Sequence, residues 1–180
     1  MSTLIDTYYL DQSGELHFLS AANQKNAVDN HFPLPDPSWT VATVNQVAAI
    51  LNPPVTLAQA VAAQLLVIQA ACEAAIVGGQ QSSALGTVYT YPSGVNDQQN
   101  LTANVLSSML PGLASNWTTE QLCESSTNVW AYLPHTAVQI QQVGTDVKNA
   151  ILTCLVKRQN LQNEITAATS VAAVQAIVWS

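Results

Sequence analysis

Three histidines, a group of carboxylates, three cysteines and one arginine carry whatever chemistry this chain of 180 residues could perform. His17 falls in an expected strand, His31 in a proline-rich loop and His135 just after Pro134. No two of them share a helix face, as metal ligation from a helix requires. Asp6, Asp11 and Glu15 cluster in a turn-prone stretch and could act as paired carboxylates or hold a cation. They lack the Asp-x-Asp spacing of a cation loop, and a solvated turn is the reading adopted. Cys72, Cys123 and Cys154 form no close pair, which argues against a disulfide framework and a zinc site and leaves them as small buried hydrophobes. The sequence has no Gly-rich phosphate loop, no Gly-x-Ser-x-Gly elbow and no His-Glu-x-x-His pair. No catalytic residue, metal or cofactor is expected. Two Asn-x-Thr tripeptides, at Asn100 and Asn116, read as chance matches. A rival reading places Trp39, Trp117 and Trp130 beside the carboxylates as a sugar-stacking or hydrolytic module, but core packing explains those rings equally well.

The elements that must position these residues follow from composition and punctuation. Hydrophobic residues make up 48% of the chain and charged residues only 8%, so a core is available and Gln, Asn, Ser and Thr must cover most of the surface. A net charge of -7 repels phosphate backbones and anionic lipid, so neither nucleic acid nor a membrane surface is an expected partner. The N-terminal residues carry no basic region followed by an apolar stretch, and secretion is not expected.

Ile5 to Leu10 and Glu15 to Leu19 flank the turn Asp11-Gln12-Ser13-Gly14 and predict a β-hairpin. Asn23 to Asp29 is polar, and Pro33, Pro35 and Pro37 predict an extended loop. Trp39 to Val41 is a short extended piece, and Thr43 caps a helix ended by Asn52-Pro53. Residues 1–55 therefore read as a small α+β module, too small to stand without a lid or a partner. Thr56 then caps a long helix over residues 56–79, with Gly78 as its expected left-handed end. Leu57, Val61, Leu65, Ile68, Cys72 and Ile76 line one side of it. The small N-terminal module could not cover such a stripe, which is expected to bind a partner chain, with an intramolecular contact as the alternative.

A polar linker, residues 80–83, separates this helix from a C-terminal module over residues 84–180. There Ala84 to Tyr91 reads as a strand, a helix runs from Gln98 to Leu110, and Trp117 to Leu122 and Val129 to Leu133 form a hairpin. A long helix follows from Thr136 to about Ala168, and Ser170 caps a short turn before Trp179. The polar linker predicts two separable parts, 1–78 and 84–180. Arg158 falls on the apolar stripe of the long helix. It either lays its stem along that face with its charge in water or anchors a partner's carboxylate. The fold class predicted is α+β: a small hairpin and helix module, a long linking helix, and short strands packed on long helices.

Two stretches together carry a resemblance. Tyr8 to Ser20, followed by the Pro-containing loop, Val41 to Ile50 and Asn52-Pro53-Pro54, resembles the N-terminal region of bacteriophage tail fibre assembly proteins. Tyr89 to Leu101, the Trp-bearing strand Val129 to Tyr132, the long helix through Lys157-Arg158, and the ending Ala167 to Trp179 resemble a domain of unknown function at the C-terminus of phage tail proteins. The loop Asn23 to Asp36 and the scarcity of charge on the long helix depart from that pattern. The resemblance implies a non-enzymatic protein that binds a tail fibre or baseplate, as an assembly chaperone, a tip-associated component or a permanent subunit of the virion tail. It also implies a place in the virion tail, or in the host cytoplasm during assembly. Because fibres of the resembling family are trimeric, self-association in threes or docking onto a trimer is the implied geometry for the stripe and for Arg158.

Overall fold

A computed structural model of the chain describes residues 5–30 and 35–180. His31 and the loop prediction over residues 31–34 lie outside the described residues. The chain divides into two compact units, residues 1–55 and 56–180, each α+β.

In the N-terminal unit, β1 (Thr7–Leu10) pairs antiparallel with β2 (Leu16–Leu19), setting Tyr8 opposite Phe18 and Tyr9 opposite His17. The connecting turn is held by the Asp11 carboxylate, which accepts hydrogen bonds from the Ser13 and Glu15 backbone N–H groups at 2.8 and 2.9 Å. β3 (Thr40–Val41) adds to the other edge of β1, giving the order β2-β1-β3. The polar stretch after the hairpin is not loop: Ala21–Asp29 is helix α1, capped by the Ser20 side chain on the Asn23 N–H. Its buried Gln24 donates to the Leu19 and Ile5 carbonyls, so an amide does the anchoring that an apolar residue does in most short helices. α2 (Val44–Leu51) starts at a capping box in which Thr43 and Gln46 exchange hydrogen bonds, and it buries no residue.

The C-terminal unit opens with α3 (Leu57–Val77), started by a second capping box between Thr56 and Gln59. β4 (Gln80–Ser82), β5 (Tyr89–Tyr91), β6 (Thr118–Glu124) and β7 (Trp130–Thr136) form an antiparallel sheet in sequence order. α4 (Val95–Ser107) follows β5, α5 (Ala137–Ala167) follows β7, and α6 (Val171–Ala176) closes the unit. At 31 residues, about 46 Å at 1.5 Å per residue, α5 organises two cores. One gathers Tyr91, Leu101, Cys123, Ile140, Val143 and Val147 between sheet, α4 and the first half of α5. The other gathers Ala60, Ile68, Ile165 and Val174 between α3, α6 and the second half of α5, with Trp179 packed against it.

Two sequence expectations are corrected here. The stretch 80–83 is no linker, because Gln80 to Ser82 is β4, and the Gln80 and Ser82 side chains are buried and satisfied. Gln80 donates to the Ala75 and Ile76 carbonyls, and the Ser82 hydroxyl donates to Asp146 at 2.6 Å. The left-handed residue after α3 is Gly79, with φ +98°, while Gly78 stays at φ -74°. The helix therefore joins the C-terminal unit, and the dividing point moves to the exposed Pro53-Pro54-Val55 segment. Limited proteolysis with a broad-specificity protease should accordingly cut near residues 52–55 and leave a resistant fragment beginning near Thr56. Mass spectrometry of that fragment checks it, and a first cut within 80–83 would contradict the placement of β4.

Candidate docking surface

The fold occupies nearly all of the residues with catalytic or ligating character. His135 is fully buried, with Nδ1 2.8 Å from the Leu133 carbonyl and Nε2 2.9 Å from the Tyr91 hydroxyl. A carbonyl only accepts, so Nδ1 carries the proton and Nε2 accepts from Tyr91; both ring nitrogens are consumed by the fold. His17 stacks on Trp39 at 4.1 Å and meets Asp11 Oδ2 at 3.1 Å. Asp11, Glu15 and His17 bring their ligand atoms within 4.8 Å of one another. Asp11, however, already accepts from Ser13, His17 and Glu15. The Ser13 hydroxyl first, then His17 and the Glu15 N–H, hold its carboxyl well below the ordinary carboxylate range. Asp6 caps the Ala21 N–H at 2.8 Å. These groups build a hairpin and its exit. Cys72 and Cys123 are buried, and burial pushes both thiols above their ordinary range; for Cys72 the neighbouring Arg158 charge opposes that shift.

The predicted partner stripe on α3 lies inside the C-terminal unit. Ile68 and Cys72 are fully buried within their own unit, and Val61 and Leu65 pack around the same core as Ile165 and Val174. Ile76 is half-buried beside them, and Leu57, at the first turn of α3, is the member left exposed. The stripe is thus corrected from a surface for another chain to the chain's own interior. The reason is the length of α5, which runs past the sheet far enough to lie along α3. The intramolecular alternative holds. Arg158 lies on the same side of α5 as expected. Its Nε is buried without a hydrogen-bond partner among the described residues, beside the Cys72 thiol.

The opposite side of α3 carries the surface that sequence reasoning passed over. Ala62, Ala63, Leu66, Val67, Ala70, Ala74 and Val77 are turned to solvent, with Leu66 68% and Val67 55% exposed. Glu73 is the one charged residue of the helix, and Gln69 donates to it at 2.9 Å. The signal was available, since α3 is apolar on every side and one of its faces alone can be core. By length and composition α3 would also suffice to cross a membrane; here Ala60, Ile68 and Cys72 pack it into a folded unit. A further apolar concavity, about 460 Å³, opens between α4 and α5 over Leu101, Val105 and Ile151, with Lys148 on its rim. The two helices come close there because position 144 is glycine: a Cβ would meet Val105 Cγ2 at 2.7 Å.

Sheet, helix pair and unoccupied apolar face define the C-terminal unit as an α+β domain built along one long helix. The chain belongs to the family described as "Domain of unknown function (DUF4376)", which matches residues 58–178. That span begins one residue inside α3, so the family's limits agree with placing this helix in the C-terminal unit. No curated protein and no solved structure matches the chain.

Proposed function

We propose that the protein is a component of a bacteriophage tail that binds the tail fibre or baseplate through a protein–protein contact, as an assembly chaperone or a tip-associated component. The observation that carries this reading is the outward face of α3, a run of Leu66, Val67, Val77 and alanines that the C-terminal unit leaves exposed. Apolar surface in a continuous strip is costly to leave in water and characteristic of interaction sites. Alanines in the strip let a neighbouring helix backbone approach closely, and the near absence of charge imposes no repulsion on a second copy or a fibre. The resemblance of Tyr8 to Pro54 and Tyr89 to Trp179 to tail fibre assembly and tail proteins supplies the biological setting. A permanent place in the virion tail is the alternative, and the mass of purified particles separates the two.

The test is co-expression with the tail fibre encoded beside this gene, followed by affinity capture and sedimentation. Wild-type protein should capture the fibre, and Leu66→Glu with Val67→Glu should weaken capture by at least about tenfold, roughly 1.4 kcal/mol, with circular dichroism unchanged. Capture unaffected by the double substitution would move the contact off α3. Failure of the wild type to capture any tail component would remove the tail reading itself.

A further inference from the structure

The outward face of the four-stranded sheet holds a second surface, unrelated to α3. Residues alternate along β7, so Trp130, Tyr132 and Pro134 share the face opposite the buried His135. Cross-strand partners on β6 place Glu124 against Trp130, Leu122 against Tyr132 and Glu120 against Pro134. Trp130 is 46% and Tyr132 68% exposed, on positions whose Cα atoms lie about 7 Å apart along an open strand. Trp117 and Trp179 are half-buried against the two cores and Trp39 is stacked on His17, so of the four tryptophans Trp130 alone is open.

α4 packs along the part of β6 that the short β5 leaves free, and between them lies a cleft of about 270 Å³. Tyr132 and Pro92 give it apolar surface, and Asp97, Asn100, Glu120 and Gln121 give it polar groups. Gln121 is only 5% exposed. Its Oε1 accepts from Asn104 Nδ2 at 3.0 Å, while its Nε2 has no acceptor among the described residues, and the side chain lines the cleft at the edge of β6. Asp97 uses one oxygen on the Gly94 N–H and keeps the other, and Glu120 and Asn100 make no side-chain hydrogen bond within the described chain.

We propose that this cleft, with Tyr132 and Trp130 beside it, binds a neutral saccharide. The chemistry selects the class. Free acceptors on Asp97 and Glu120 stand beside a free donor on Gln121, and Asn100 offers both. A ligand that satisfies them must donate and accept from neighbouring groups, as hydroxyls do; an ammonium or guanidinium side chain only donates and would leave Gln121 Nε2 unpaired. The aromatic faces take up the C–H face of a sugar ring. Asp97, Glu120 and Glu124 set a negative field with no Lys or Arg on the sheet face, since the three cations of this unit, Lys148, Lys157 and Arg158, all lie on α5. Uronates and sialylated sugars are therefore disfavoured. A cleft of this size, below the ~300–1,000 Å³ that encloses a drug-sized ligand, suits one ring with its neighbours resting on Trp130.

Saturation-transfer NMR on the full-length protein tests the site, with methyl glycosides of glucose, galactose, mannose and N-acetylglucosamine as probes, and glucuronate and trilysine as charged counterparts. At least one neutral glycoside should receive transfer. Tyr132→Ala and Glu120→Gln, both at exposed positions, should each weaken its binding by about tenfold or more, with near-ultraviolet circular dichroism otherwise native. No transfer to any neutral glycoside would overturn the proposal. So would binding indifferent to both substitutions, or a response to trilysine alone, which would identify a site for basic peptide.

Discussion

Ile68→Asp is expected to leave residues 56–180 without a cooperative thermal transition. Ile68 is fully buried among Ala60, Ile165 and Val174. Removing its apolar bulk costs about 2–5 kcal/mol, and the carboxylate that replaces it is set among the apolar side chains of Ala60, Ile165 and Val174, where burying a charge adds to that cost. The sum approaches the whole stability of a domain, roughly 5–15 kcal/mol. Leu66→Asp, two residues earlier on the outward side of the same helix, should change stability by no more than about 0.5 kcal/mol. Thermal melts followed by circular dichroism on the two variants give opposite answers if α3 is oriented as described. A folded Ile68→Asp protein beside an unfolded Leu66→Asp protein would mean the faces are reversed.

The second large effect is expected at the buried pair Tyr91 and His135. Tyr91→Phe removes the hydroxyl that His135 Nε2 accepts from and leaves that nitrogen unpaired in the core, at a cost of about 1–3 kcal/mol. His135→Ala also opens a cavity and should cost about 3 kcal/mol or more. The two groups share one hydrogen bond, so a double-mutant cycle should return a coupling of roughly 0.5–3 kcal/mol; additive losses would show that the bond contributes nothing. Burial first, then neighbouring Cys123, Tyr89 and Asp146, raise the Tyr91 phenol above its ordinary value of 10.0. The folded state therefore keeps this proton longer than the unfolded state. The contribution is fully present below about pH 10 and is lost as pH rises through the folded value. Urea unfolding across the alkaline range should show this loss in the wild type and its absence in Tyr91→Phe.

What was legible in the sequence was chiefly what is local. Thr43, Thr56, Thr136 and Ser170 each stand where a helix begins, because a hydroxyl that can take an N–H three residues on is a signal contained in four residues. The hairpin of β6 and β7 was legible for a similar reason, with turn residues between two runs of strand formers. α1 was not, because its anchor is a buried amide, Gln24, and hydropathy periodicity does not register an amide. β4 was missed on the same account: Gln80 and Ser82 are buried through hydrogen bonds to residues near and far, including Asp146 sixty-four positions away. For α3 the periodicity located an apolar stripe but held no information on what would cover it. A helix apolar all round has two candidate faces, and the choice between them was made by α5 and α6, more than 60 residues downstream. The cleft beneath Tyr132 depends on β5 being short enough to leave β6 an edge for α4, a length that no local pattern encodes.

The helix starts have a consequence of their own. α2, α3 and α5 are each closed by a Thr–Gln exchange and α6 by a serine hydroxyl, while α4 relies on the Asp97 carboxylate and α1 adds the Asp6 carboxylate to its Ser20 hydroxyl. Glutamine in the role that glutamate often fills gives up some attraction to the helix dipole and gains indifference to protons and electrolytes. With so few charges in the chain, four of the six described helices begin at groups that neither acid nor brine can switch off. Such scaffolding suits a protein that must hold its shape through changes in its surroundings for which its maker cannot compensate.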